Sequence, residues 1–565
     1  MQLSKVNFIM NQMLAAILLI FSTISAAASY DFPDSQPDSA DYLQQRALPN
    51  QGPANFFPNW DQFNSNNLDQ NNQDSQEVLQ LIKQGQLVKA RKKIAQLITQ
   101  NPKKVELYNL TALLYAQEND AGSAQRYFNK ALELDKDNQI ALVGLAKLAF
   151  EATRYREAKE LANQVIALNN KNLTAYYLLV DIANKQNDLR EIEHNLLTAY
   201  QKMRGIAKDE VSVAVNLGNY YFKQHQPHKF LSLMQELSSR YPEDGRVLLL
   251  LANAQIFNKQ TNAAEQTLLG LIEHDKQNVS GRLRLAALWA AQPEKKTEVL
   301  KLLDEAAALA PENPQVMLQK ATLLTKFKRY DDALLYAEKV DQALPQTGLG
   351  KILQGDAYLA QKKLGQALAA YQQAYRVNPN DKVLGLIADI MVAMNRQSAA
   401  IELLNNELKK NDNNLVAHFR LATIYQQQKN YSNAARHYQA ILAKDAENVL
   451  VLNNLAWVYL QQNNPEALAL AEKAYQKAPE SAAILDTYGT VLVQWSNLKR
   501  GIEILEKAIK FAPDAQDIRF HLAQAYEKAD NDSKAIEYLK IILNSGQNFS
   551  EKDAAIALLS QLQAK

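Results

Sequence analysis

Small and apolar residues recur at three- and four-residue spacing through the stretch Gly348–Pro379, GLGKILQGDAYLAQKKLGQALAAYQQAYRVNP. This spacing places them on one face of an α-helix, because residues three and four apart stack on the helix surface. The stretch reads as two helices joined by a turn. With Gly348 as position 1, Gly355 falls at 8, Tyr358 at 11, Ala367 at 20, Tyr371 at 24, Ala374 at 27 and Pro379 at 32. Small residues at 8 and 20 let the two helices approach closely, and the larger residues at 11 and 24 fill the space beside that contact. Proline at 32 cannot continue a helix and marks the turn into the next unit.

The prolines carry the same period. Pro311, Pro345 and Pro379 are 34 apart, as are Pro479 and Pro513, and Pro102 to Pro242 spans 140 residues. A coiled coil would instead show a seven-residue repeat without regular turn signals. The pattern resembles the tetratricopeptide repeat (TPR), a helix–turn–helix unit of about 34 residues. The resemblance covers roughly residues 76–565 and implies an all-α fold, a right-handed superhelix of about fourteen repeats closed by a C-terminal capping helix. The expected organisation is a signal peptide over 1–28, a linker over 29–74, the array over 75–547 and the cap over 548–565.

Within the array, units four, five and ten depart from the pattern. Ile192 and Phe230 stand at position 20 of the fourth and fifth, where a bulky side chain should push the helices apart, and Asp389 stands at position 8 of the tenth. The extra residues MRGIAKDE at 203–210 suggest a longer turn and a break between two sub-arrays. In the cap, Ser550 and Asp553 imitate a capping box, and Ala554, Ala555, Leu558 and Leu562 form an apolar stripe that would cover the last exposed face.

The first residues differ from the array. Lys5, the apolar run MLAAILLIFSTI at 13–24 and Ala26-Ala27-Ala28 have the layout of a secretory signal cleaved after Ala28. The run is short for a membrane span, which needs roughly 20 residues; an uncleaved anchor is the alternative. Either way the repeats are expected outside the cytoplasm, with the periplasm of a Gram-negative bacterium as the compartment. Residues 29–74 are rich in Asp, Asn, Gln, Ser and Pro without a helical period, which predicts disorder. Within them Phe56, Phe57, Trp60 and Phe63 read either as a docking motif or as a tail packed on the first repeat.

Composition narrows the chemistry. The 62 basic and 60 acidic residues leave a net charge of +2, which gives no argument for a nucleic acid partner. The chain has no cysteine, so disulfides, thiolate metal sites and cysteine nucleophiles are excluded. None of the seven histidines belongs to a compact metal-binding pattern. His225 and His228 form a pair without a third ligand and read as surface residues of a turn. With no nucleophile elbow and no phosphate-binding loop, the expectation is a non-enzyme with no catalytic residue, cofactor or metal.

TPR proteins bind partner segments along the concave face, which first-helix positions 2, 5, 6, 9 and 13 line. Carried over by this resemblance, those positions give Asn453, Trp457 and Gln461 in the twelfth unit and Asp486, Thr490 and Gln494 in the thirteenth. The fourteenth gives Phe520, His521 and Gln524, and a second patch holds Asn216, Asn219 and Asn253. The amides could bond an extended peptide, with Trp457 and Phe520 as apolar anchors or, alternatively, as packing between repeats. The stretch LNNLAWVYLQQNNPEALALAEKAYQKAPESAAILDTYGTVL is similar to TPR proteins of bacterial envelope export systems, including exosortase-associated and exopolysaccharide-secretion types. The expected function is a protein-binding scaffold in envelope export or assembly; the alternative is an escort for polysaccharide in an exopolysaccharide secretion complex.

Overall fold

Each repeat of the sequence pattern becomes a pair of antiparallel helices. The computed structural model describes residues 73–564 apart from Ser496, Asn548 and Ser550, and every regular element among them is helical. The expected signal, most of the linker, its aromatic cluster and Ser550 lie outside the described residues. Two compact units divide the rest, 73–316 and 317–564. Seven helix pairs, from Gln73–Lys83 with Leu87–Gln100 to Val279–Trp289 with Lys296–Leu309, occupy the first unit. Seven more follow, from Pro314–Lys326, which begins in the last residues of the first unit, with Tyr330–Ala343 to Gln516–Lys528 with Asp532–Asn544, and then the lone helix Lys552–Ala564. The expected fourteen repeats and cap are therefore present.

The small positions are where the pairs close. Ala90, Ala124, Ala158, Ala264, Ala333, Ala367, Ala434, Ala467 and Ala535, all at position 20, are at most 1% exposed. In the reference repeat the Tyr371 ring lies flat on Gly355, where a Cβ would come within 2.7 Å of the ring. The ring is fully buried and its hydroxyl donates to the Asp356 carboxylate, which satisfies the polar end.

Two turns alternate along the chain. Between the helices of a repeat, eleven residues other than glycine take the left-handed conformation, with φ from 51° to 63°. They include Asn119, Asn187, Asn395 and Asn463, whose short polar side chain tolerates it. His225 occupies this turn position, as its neighbours in the period do, and it is exposed with His228. Between repeats, an Asp-x-x-Asn device recurs. Asn138 caps its helix by accepting from Ala141 N–H at 3.0 Å, and donates to Asp135 at 3.1 Å. Asn278 with Asp275 and Asn448 with Asp445 repeat it. Each cap satisfies one of the first amide groups that a helix leaves without a partner.

The irregular repeats show how departures are absorbed. Phe230 stands where the pattern calls for a small residue. Phe230 is nevertheless buried, because its ring sits over Gly218, where a Cβ would fall 2.6 Å away. The tenth unit follows one residue early, its turn residue Asn395 coming 33 after Lys362. Buried Ala388 and Ala400 therefore take the small positions, and half-buried Asp389, not at position 8 as expected, pairs with Arg420 of the next first helix at 2.9 Å. The break expected near 203–210 is instead a stapled turn. Glu210 is fully buried there and accepts from Gly205 N–H at 2.8 Å, from the Tyr241 hydroxyl at 2.7 Å and from Arg240. One apolar cluster, including Tyr176, Met203, Leu217 and Val247, runs through this region without interruption.

Replacing Ala367 by Trp should force Tyr371 off Gly355 and cost about 1–3 kcal/mol by overpacking. Urea denaturation of the variant should show a lower midpoint, and an unchanged midpoint would refute the placement of position 20 at the helix contact.

Candidate functional site

The first helices of the last three repeats, Val449–Gln461, Ala482–Trp495 and Gln516–Lys528, share one design. Each buries a stripe in the core: Leu452, Leu455 and Tyr459; Leu485 and Leu492; Leu522, Ala523 and Tyr526. The opposite stripe is left polar. Together with the lone helix Lys552–Ala564 these three helices enclose a groove of about 560 Å³, within the range of ligand-sized pockets. Gln461, Thr490, Gln494, His521 and Gln524 supply its polar lining. Leu460, Val493, Ala525, Ala554 and Leu558 supply apolar surface, and Glu527 and Lys528 supply its charged groups.

Hydrogen-bonding capacity remains open in this lining. Gln461 and Gln524 are exposed and make no hydrogen bond among the described residues. Lys528 donates to Gln494 Oε1 at 3.2 Å and to the Val493 carbonyl at 3.0 Å, which fixes the Gln494 amide with its N–H groups available. The Thr490 hydroxyl donates back to the Asp486 carbonyl at 2.8 Å and keeps its acceptor lone pairs. Amides that both donate and accept, set beside apolar surface, match the needs of an extended peptide backbone and its side chains.

His521 is the one histidine in the groove lining. Its Nδ1 faces both oxygens of Asp486, at 2.8 and 3.0 Å. Burial disfavours its charged form, but the Asp486 carboxylate, with Asp517 and Glu551 beyond, outweighs burial and lifts the imidazole to about 9. A second histidine pair behaves oppositely. His418 and His437 place their Nδ1 atoms 2.9 Å apart, and His418 Nε2 lies 2.9 Å from the Asp412 carbonyl. His418 therefore donates from Nε2 and accepts at Nδ1, and His437 donates from Nδ1. Tyr425 stacks on the His437 ring, whose Nε2 is buried without a partner. Burial, then His418 and Arg436, pull His437 down to about 4.

Six of the nine residues expected to form the carboxy-terminal site line the groove: Gln461, Thr490, Gln494, Phe520, His521 and Gln524. Phe520 is only 1% exposed and packs against Phe549, with ring centres 6.1 Å apart, so it serves as floor rather than as a free anchor. Trp457 is half-buried with its ring edge-on to Tyr431 of the preceding repeat, centres 5.9 Å apart. Asn453 is half-buried, and its side-chain oxygen has no hydrogen-bond partner. Neither residue is in the groove lining. Asp486 stands behind the groove, holding His521. In the second patch Asn216 and Asn219 are exposed, Asn216 donating to the Ser212 carbonyl at 3.3 Å, while Asn253 is half-buried with an unpartnered side-chain oxygen.

The contribution of the lone helix was not read from the sequence. Ala555 and Leu562 are buried as its stripe requires, but Ala554 is exposed and forms groove wall with Leu558. Lys528 was also missed, although position 13 of the fourteenth repeat falls on it by the rule that gives Gln461 and Gln494. No group of three or more His, Cys, Asp or Glu residues among those described is arranged to hold a metal ion.

The architecture is that of a helical-repeat scaffold. Matches to the tetratricopeptide repeat family fall at residues 115–181 and 492–562, and at 352–414 and 419–482. This chain is a tetratricopeptide repeat protein, and a stack of such repeats is a scaffold for protein–protein interaction. Human tetratricopeptide repeat protein 21A is 21% identical over 343 residues, which cover 57% of this chain and 24% of that protein. A beta-barrel assembly-enhancing protease of Yersinia pestis is 27% identical over 179 residues, covering 30% of this chain and 36% of the relative. The chain thus spans only about a quarter to a third of the length of these relatives. Among solved structures, a chain of the APC/C hetero-tetramer Cut9–Hcn1 aligns over 86% of this chain and 95% of its own, with 14% identity and a TM-score of 0.40.

The two histidine pairs predict opposite pH effects. Folded His437 binds its proton less tightly than the unfolded chain, so its contribution is whole above about 6.5 and is lost as pH falls towards about 4. Folded His521 binds its proton more tightly, so its contribution is present below about 6.5 and is lost as pH rises through about 9. Denaturation midpoints measured across this range should decline at both ends. His437→Gln should flatten only the acid limb, and Asp486→Asn only the alkaline one.

Proposed function

We propose that this protein is a non-catalytic adaptor of the bacterial cell envelope that holds an extended segment of a partner protein in the groove of its last three repeats. The observation that carries this reading is the convergence of Gln461, Thr490, Gln494 and Gln524, from three successive first helices, on one groove with apolar patches between them. An extended chain exposes backbone donors and acceptors along its length, and amides meet both kinds. Neighbouring side chains of such a chain point to opposite sides, so alternate ones can reach Val493 and Leu558.

The envelope setting rests on the amino-terminal sequence, with its Lys5, apolar run at 13–24 and Ala26-Ala27-Ala28, for which we propose cleavage after Ala28 and release into the periplasm. The Yersinia pestis relative, named for enhancing beta-barrel assembly, supports the same setting. The role that fits both is holding components of an export or envelope-assembly system together.

Two measurements test this reading. Affinity capture from an envelope fraction with the full chain as bait should recover a partner that the Gln494→Ala, Gln524→Ala double variant retains at about a tenth of the level or less, the loss expected for two hydrogen bonds. Equal capture by both forms would move the binding surface elsewhere. Residues 1–40 fused to a phosphatase that is active only outside the cytoplasm should give an active reporter, and an inactive one would remove the periplasmic assignment.

A further inference from the structure

Asp486 and His521 are 35 residues apart, one repeat plus one residue, and meet across two first helices. The pair constrains what His521 can offer the groove. Its Nδ1 lies 2.8 and 3.0 Å from two carboxylate oxygens, so that nitrogen carries a proton and donates it. A neutral imidazole with a proton on Nδ1 has a bare acceptor at Nε2; the imidazolium has a second donor there. Nε2 makes no hydrogen bond among the described residues, and the side chain lines the groove with Gln494 and Gln524.

We infer that Asp486 holds His521 as an imidazolium whose Nε2–H donates to a backbone carbonyl of the bound segment, at a place where that segment carries no acidic side chain. This rests on the groove being a peptide site. Asp486 is then a positioning residue rather than a contact, and His521 reads the partner. A carbonyl fits better than a carboxylate because the charge of His521 is already balanced by Asp486. Three carboxylates favour the charged imidazole: Asp486 from the helix Ala482–Trp495, Asp517 from its own helix, and Glu551 just before the lone helix. On the groove's own lining Glu527 adds a carboxylate, and Lys528 turns its ammonium to the Gln494 amide oxygen and the Val493 carbonyl. A partner carboxylate placed at His521 would face Asp486 and Glu551 across an imidazolium whose charge Asp486 already balances, and like charges set close together are unfavourable.

The protonation state then sets the pH range of binding. His521 titrates at about 9 with Asp486 in place. Without the carboxylate the imidazole is neutral at pH 7.5, and the donor returns only on acidification.

The test uses the full chain and immobilised pools of degenerate nonapeptides, acetylated and amidated at their ends, with the central residue fixed as Gln or as Glu. At pH 7.5 the Gln pool should bind at least about fivefold more tightly than the Glu pool. His521→Ala should weaken the Gln pool about tenfold, and His521→Gln, which keeps an N–H donor, should stay within about threefold of the parent. Asp486→Asn should be about tenfold weaker at pH 7.5 and recover at pH 5.5, which a purely structural defect would not do. Preference for the Glu pool, or an Asp486→Asn variant that binds alike at both pH values, overturns the inference while leaving the peptide groove intact. Binding of neither pool by the parent chain overturns the peptide-groove reading, and this inference with it.

Discussion

Close approach of two helices at a pair of small residues is the constraint on which the rest of this protein depends. Ala367 and Gly355 let the helices of their repeat meet, and Tyr371 fills the space beside them. Because the contact recurs with the period, each repeat presents the same two faces to its neighbours. One stripe of every first helix is committed to the core, and the other is left free to vary. The exceptions follow the same physics. Phe230 is accommodated because Gly218 yields the volume, and the longer turn before the fifth repeat is held by a buried carboxylate with three partners.

The groove is a consequence of this arrangement rather than an addition to it. Three first helices bring their free stripes together, and the lone helix closes the far side. Gln461 and Gln494 at position 13 and Gln524 at position 9 then converge with unspent hydrogen-bonding capacity. Where a position departs from an amide the local chemistry changes. Lys528 ties down Gln494, and His521 with Asp486 introduces a charged donor whose charge is compensated from behind. In the other pair His437 is buried against Tyr425 and bonded to His418, so the same residue type serves packing in one repeat and the groove in another.

Much of this was legible in the sequence because a repeat converts linear spacing into position. The prolines and the alanines of position 20 fixed the phase, and the phase placed Gln461, Thr490, Gln494 and Gln524 on one surface. What the phase cannot supply is the direction in which a large side chain settles. Trp457 shares position 9 with Thr490 and Gln524, yet it leans on Tyr431, because an aromatic ring gains more from packing than from standing in water. Phe520 sinks into the floor for the same reason. The tie between Asp486 and His521 depends on how far one repeat is rotated against the next, which no single repeat encodes. The groove wall from Ala554 and Leu558 depends on how the lone helix docks, a matter of tertiary packing.

A photo-crosslinking amino acid placed at Gln494, in cells that make the full chain, tests the central claim most directly. Lys510, an exposed residue of a second helix, serves as the control position. The account predicts an adduct with a partner protein from position 494 and none from position 510. The same adduct from both positions, or from 510 alone, would contradict it.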